Sequence, residues 1–168
     1  METLRYVHNR WVPKLPTALH WLSRQPWFGV IGRRLVWLDR LVQRMTRGRW
    51  SAVGAAGLRS ALLTTTGRRS GKPRHTPLLC IANGDDYLVV GSNWGQRHHP
   101  SWTANLLADP RAVLTMGGRT VNVHAELLTD QARAEQWAAL TAAWPPYEDY
   151  EKRAGRVLRV FRLVPERS

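Results

Sequence analysis

From Ser60 onward the sequence predicts an α+β domain: about six mostly antiparallel strands forming a small barrel, with short flanking helices and a helical extension before it. Three observations lead there. Apolar periodicity changes along the chain, from helical spacing before residue 50 to short runs rich in β-branched residues after residue 60. Turn signals separate those runs: Gly67 to Gly71, Asn83-Gly84-Asp85-Asp86 and Gly117-Gly118. A chain of 168 residues with 43% apolar content has enough material for one domain with a buried core.

Taken in order, Pro26 to Met45 reads as a helix. Phe28, Ile31, Leu35, Leu38, Val42 and Met45 recur at three- and four-residue steps and draw one stripe. Pro26 suits the first turn and Gly48 the stop. Pro13 and Pro16 break the preceding segment into shorter pieces. The first strand is Ala61 to Thr66, and the second runs from Lys72 to Ala82. Tyr87 to Ser92 is the third. His99 to Ala108 reads as a short helix with Pro100 in its first turn, ended by Asp109-Pro110. Ala112 to Met116 and Thr120 to Leu128 form a hairpin around Gly117-Gly118. Thr129 caps a helix reaching Ala143, and Pro145-Pro146 breaks it. Tyr147 to Ala154 is a second short helix, and Arg156 to Val164 the last strand. The chain divides into a basic, Trp-rich extension, residues 1–50, and a barrel domain, residues 51–168.

Charge is the unusual part of the composition. Lys plus Arg is 25 against 12 for Asp plus Glu, a formal +13, and only Lys14, Lys72 and Lys152 are lysines. Such a balance favours acidic ligands, anionic membranes or nucleic acid. Residues 1–50 hold ten cations against Glu2 and Asp39, which is +8 of that total, and five of the nine tryptophans. Arg33, Arg40, Arg44 and Arg47 fall largely off the apolar stripe. Two readings of the helix stand: it lies on an anionic membrane surface, or its stripe packs on the barrel or on a second subunit.

Other classes are disfavoured. No stretch approaches 18 apolar residues, and no secretory pattern opens the chain. Cys80 lies alone in an apolar run, which suits a core position in a reducing compartment and a cytoplasmic location. His98 and His99 lack a third ligand at metal spacing, so no metal is expected. Ser92 has no Gly-x-Ser-x-Gly elbow around it. Arg and Trp interleave in the extension, yet no nucleic-acid motif is present.

The segment richest in chemistry is Leu62 to Leu79. Arg68, Arg69, Lys72 and Arg74 sit at or beside a glycine turn with Thr66 and Ser70 among them. Backbone N–H groups and guanidinium forks in such a turn suit a phosphate or carboxylate. A basic hairpin turn that is merely solvated gives the same pattern. It is neither a P-loop nor a dinucleotide fingerprint, because neither glycine spacing is met.

Four ordered motifs carry a resemblance: this turn, Gly91-Ser92-Asn93-Trp94-Gly95, His99-Pro100-Ser101-Trp102-Thr103-Ala104-Asn105-Leu106, and Trp144-Pro145-Pro146-Tyr147-Glu148-Asp149-Tyr150. Over about residues 58 to 164 the chain resembles the deazaflavin-dependent nitroreductase and quinone reductase family of actinobacteria and archaea. That resemblance implies a split β-barrel and hydride transfer from coenzyme F420, an 8-hydroxy-5-deazaflavin with a phosphate and an oligoglutamate tail. It implies that Arg68, Arg69, Ser70 and Arg74, with Lys72 nearby, hold the phosphate and tail. His75, Thr76, Pro77, Leu78 and Leu79 would run along the ring, and Val90, Gly91, Ser92 and Asn93 would form the other lip. Ser101, Trp102, Thr103, Ala104 and Asn105 would open a helix toward an anion. Tyr147 and Tyr150 would close over the substrate face and donate a proton or hydrogen bond, with Ser92 beside the ring. Asn93 stands where the family often has lysine, and Trp144 where it often has another tyrosine.

The implied function is reduction of a small-molecule acceptor: a quinone, nitroaromatic or activated enone. The implied location is cytoplasmic or peripheral on the inner membrane face, as a monomer or homodimer. The alternatives are a flavin mononucleotide-dependent split-barrel enzyme and a non-catalytic coenzyme carrier or membrane-surface protein. A single phosphate needs fewer cations than this turn supplies.

Overall fold

The computed structural model describes residues 60–166. The helix expected over Pro26 to Met45, the extension 1–50 and the boundary at residue 51 lie outside the described residues.

Among the described residues the elements run β1 (Ser60–Thr66), β2 (Pro73–Asn83), β3 (Asp86–Val90), a 3-10 turn (Asn93–Gly95), α1 (Ser101–Ala108), β4 (Arg111–Met116), β5 (Arg119–Leu128), α2 (Asp130–Ala143), α3 (Pro146–Ala154) and β6 (Val160–Pro165). The strands close into a barrel in the order β1-β2-β3-β6-β5-β4, and every neighbouring pair is antiparallel. Closure pairs each strand edge and leaves no open template for another chain. Register follows the turns: Thr64 faces His75 across β1 and β2, and Val90 faces Val160 across β3 and β6.

Side chains alternate across the barrel wall as a period of two demands. Ala61, Leu63, Cys80, Val89, Leu114, Val123, Phe161 and Leu163 form one buried cluster, which α1 extends with Trp102 and Leu106. The opposite-parity residues, Leu88, Val90, Leu128 and Val160, join a second cluster with Leu140, Trp144, Tyr147, Tyr150, Ala154 and Leu158. Among the described residues there are therefore two cores, one within the strand ring and one where α2 and α3 cover its outer face. Fully burying each large aliphatic side chain contributes about 2 kcal/mol, so both cores matter to stability.

Local chemistry sets the ends of α3. Pro146 occupies its first turn with Glu148 and Asp149, Lys152 and Arg153 sit in the last turn, and Gly155 caps it at φ 60°. Acids at the N-terminus and cations at the C-terminus complement the helix dipole. Glu151 Oε1 accepts from both Arg133 Nη2 and the Leu158 N–H at 2.7 Å, locking α3 to α2 and to the approach of β6. Arg133 lies 4.2 Å over the Trp137 ring, and Trp137 packs on Tyr147.

The elements agree with those expected from the sequence within one or two residues, apart from two shortened strands and the unforeseen 3-10 turn. The last strand starts at Val160, not Arg156, and β3 stops at Val90, not Ser92. Both shortenings have one cause. Beyond the Val90–Val160 pair the chains part: Gly91 N–H donates to Arg159 O at 2.8 Å, and the polar groups of 91 to 99 turn to Arg156 instead of to a strand. Among the described residues no helix is long and apolar enough to cross a membrane.

Candidate functional site

A cleft of about 760 Å³ opens at the β1–β2 end of the barrel. It is lined by Leu62, Gly67, Arg68, Arg69, Ser70, Pro73, Arg74, His75, Thr76, Ser101, Trp102 and Asn105. The turn on one side is closed by its own backbone: Gly67 N–H donates to Lys72 O at 2.9 Å, and Gly71 N–H to Gly67 O at 2.7 Å. Asn105, buried in α1, pins it from the other side. Its Oδ1 accepts from Arg68 N–H at 3.2 Å, and its Nδ2 donates to Thr65 Oγ1 at 3.0 Å. Arg74 reaches Ser70 Oγ at 3.4 Å, and Thr64 Oγ1 lies 2.9 Å from His75 Nδ1. Arg68, Arg69, Lys72 and Arg74 are all exposed, and among the described residues none forms an ion pair. A cation cluster without internal counter-ions is a site with charge to spare for an anion.

The opposite side of α1 touches a second polar loop. Thr103 Oγ1 accepts from Arg159 Nη1 at 3.2 Å and donates to Pro100 O at 2.8 Å. Facing it, residues 91 to 99 turn through a left-handed path, with φ 47° at Asn93, 56° at Trp94 and 74° at Gly95. The Arg156 guanidinium sits inside this loop. Its Nε donates to Gln96 O at 3.1 Å, its Nη2 to Ser92 O and His98 O at 3.3 and 3.2 Å, and both Nη atoms approach Gly91 O. Its Nη1 lies 2.9 Å from His99 Nδ1. An arginine can only donate, so His99 Nδ1 is the acceptor and the ring proton sits on Nε2. Burial, then the charges of Arg156 and Arg159, hold the His99 pKa below its ordinary 6.5.

Of the residues expected from the sequence, Arg68, Arg69, Ser70, Arg74, His75, Thr76, Ser101, Trp102 and Asn105 line this one cleft. Thr103 is buried against the second loop, and Ala104 is half-buried on α1. Pro77, Leu78 and Leu79 continue β2 beyond the cleft; Leu78 packs toward the strand-ring core and Leu79 toward the outer one. Val90 and Gly91 are buried, and Ser92 and Asn93 are half-buried in the second loop. Tyr147 and Tyr150 are not among the lining residues. They are 3% and 2% exposed in the outer core beneath that loop, where Trp94 meets Tyr150 edge-on at 6.3 Å. Burial raises both phenol pKa values, to about 12 for Tyr150, where Trp144 and Arg153 oppose the shift. Both hydroxyls therefore stay protonated, as donors. The Tyr150 hydroxyl is buried, with the Trp144 indole N–H directed at its oxygen and no acceptor for its own proton among the described residues. Sequence reasoning missed Arg156, Arg159 and His99 as members of this site. Arg156 follows a helix-stopping glycine, but as one of many arginines it carries no signal of its own.

Comparison with known proteins decides the family. The profile described as F420H(2)-dependent quinone reductase matches residues 37–165. The chain belongs to this family. A Mycobacterium tuberculosis F420H(2)-dependent quinone reductase is 31% identical over 147 residues, covering 86% of this chain and 95% of the relative. Among solved structures, an F420-H2 dependent reductase, FDR-A, superposes with TM-score 0.57 at 33% identity, over 62% of this chain and 92% of that one. A structure described as a domain-swapped dimer superposes with TM-score 0.59 at 30% identity, over 76% and 96%. As a member of the F420H(2)-dependent quinone reductase family, the chain is a split-barrel oxidoreductase.

The residues present fit the family's reductant. Arg68, Arg69 and Arg74 in the cleft lining, with the Ser70 hydroxyl and Lys72 beside them, have no ion-pair partner among the described residues and make a donor set for an anion; Arg forks match phosphate and carboxylate alike. The Ser101 and Trp102 N–H groups open α1 at the same cleft, which favours negative charge there.

Proposed function

We propose that the protein binds reduced coenzyme F420 by its phosphate and oligoglutamate tail at Arg68, Arg69, Ser70, Lys72 and Arg74, and reduces a quinone, with nitroaromatics and activated enones as further acceptors. When bound, the deazaflavin supplies the hydride. The chain's own residues bind and orient. The turn fixes the anionic end, Asn105 fixes the turn, and β2 from His75 to Leu79 with the loop at Val90 to Asn93 flanks the ring end. Tyr147 and Tyr150 keep their protons at any working pH. The Tyr150 hydroxyl has no acceptor for its proton among the described residues, which makes it the donor of choice for the oxygen that gains charge as the acceptor is reduced. Ser92 stands in the loop above them. The reading extends to a homodimer and to a cytoplasmic protein touching anionic membrane through residues 1–50, supported by their +8 charge and five tryptophans.

The observation that carries the coenzyme assignment is the exposed cation cluster with no counter-ion among the described residues. Titration with the oligoglutamyl deazaflavin and with flavin mononucleotide, followed by tryptophan quenching, tests it. Tight binding of the first and weak binding of the second is expected. A preference for flavin mononucleotide would sink the assignment and favour the single-phosphate alternative.

A further inference from the structure

Arg156 makes more hydrogen bonds than any other side chain among the described residues. Its guanidinium meets five acceptors: the carbonyls of Gly91, Ser92, Gln96 and His98, and the ring nitrogen of His99. On one side the loop it fills packs against α3 through Trp94 and Gly95; on the other its carbonyls turn to Arg156. Regular pairing ends at Val90, and three successive residues then adopt left-handed backbone angles, two of them with side chains. Within the loop, Gly95 N–H donates to Ser92 O and Gln96 N–H to Asn93 O. Asn93 Nδ2 adds weaker contacts to Gln96 Oε1 and His98 O. The Gly91, Ser92, Gln96 and His98 carbonyls lie on either side of the left-handed residues and outside any strand ladder, so they need donors from elsewhere. A planar cation with five N–H groups supplies them from one point.

We propose that Arg156 is a positioning residue for the coenzyme: it holds residues 91 to 99 in the one shape that serves the ring end of the deazaflavin, without touching the coenzyme itself. This rests on the reading above, in which that loop flanks the ring end and the turn at Arg68 holds the tail. The geometry gives each half a separate duty. Arg68 and its neighbours point charge into the cleft, whereas Arg156 spends all of its donors on the protein. Lysine cannot replace it, because an ammonium has three donors and no plane. His99 belongs to the same device as the one acceptor on a side chain.

Arg156→Lys is the decisive variant, read in two ways. Hydrogen exchange of the free protein reports the loop directly; protection of the amides of residues 91 to 99 should fall by about tenfold or more while the barrel strands stay protected. Binding reports the consequence. Dissociation constants for the full coenzyme and for a tail-free deazaflavin should rise by the same factor, about tenfold, whereas Arg68→Ala should weaken the tailed form more than the tail-free one. Unchanged loop protection overturns the proposal, and so does unchanged affinity for the tail-free analogue when protection is lost. Arg156→Ala supplies a second test. Millimolar guanidinium should restore loop protection and tail-free affinity, and ammonium should not; equal rescue by both, or by neither, counts against the clasp. His99→Phe removes one acceptor of five and should shift the same readouts in the same direction by less. Failure of the underlying coenzyme reading shows up elsewhere, as equal losses for tailed and tail-free forms in Arg68→Ala, and leaves the exchange result standing.

Discussion

The two polar loops that flank α1 are built on opposite plans. The turn at Gly67 to Lys72 closes mainly on its own backbone, with one distant bond to Asn105, and leaves its cations in solvent. The loop at 91 to 99 bonds to residues about sixty positions away and turns its carbonyls inward to one guanidinium. Two glycines make the contrast concrete. Gly71 (φ 65°) has open space where a Cβ would stand, whereas a Cβ on Gly95 (φ 74°) would lie 3.1 Å from the Tyr150 Cα. A loop that only presents charge can be held loosely. A loop that shapes an apolar ring site must be held from several sides.

The largest expected effect breaks the second loop and spares the first. Gly95→Ala should destabilise the protein by about 3 kcal/mol, combining left-handed strain with the clash against α3. Gly71→Ala should cost only the strain, about 1 kcal/mol. Denaturant unfolding of both compares them directly, and equal losses would mean that α3 yields to the added methyl.

Next comes Tyr150→Phe, which separates packing from chemistry within the region under the second loop. Its O–H has no acceptor among the described residues, so removing it should change stability little. Hydride transfer at saturating coenzyme should nevertheless fall by about 10²-fold if the phenol donates to the acceptor. Stopped-flow oxidation of the reduced deazaflavin reads this. An unchanged rate moves the donor role to Tyr147 or removes it from both.

The smallest effect is one of pH. His99 has its pKa depressed in the folded protein, so the folded state binds fewer protons than the unfolded one around that value. Its contribution to stability is complete above 6.5 and is lost as pH falls through and below it. Protection of amides 91 to 99, corrected for intrinsic exchange, should decline over that range. His99→Gln, which keeps an acceptor for Arg156 but does not titrate, should flatten the decline.

The same contrast explains what could be read from the sequence. The turn was legible because its glycines, cations and hydroxyls are contiguous, and the strands because their parity puts Leu63, Val89 and Phe161 on one face. Asn105 could be placed on α1 and near an anion, but nothing in its neighbours announced that its amide bridges Thr65 and Arg68. The second loop was opaque for a physical reason. Trp94 adopts a left-handed angle that its side chain does not favour, and the donor that holds the loop lies beyond α3. The tyrosines of α3 were found by resemblance, yet their depth beneath Trp94 follows only from how α3 packs on Gly95.

Barrel closure has a consequence for how the chain is made. β6 is the last of the six strands in sequence, yet it sits between β3 and β5. Until it emerges from the ribosome, Asp86–Val90 and Arg119–Leu128 are two unpaired edges with apolar stretches such as Tyr87-Leu88-Val89-Val90 open to other chains. The nascent protein thus passes through a stage at which every strand but one is present and none can close the ring. Sites that depend on residues just ahead of β6, the Arg156 clasp above all, can assemble only once that segment has emerged. Chaperone binding to nascent chains stalled before residue 160, and its release once β6 is exposed, would mark that stage.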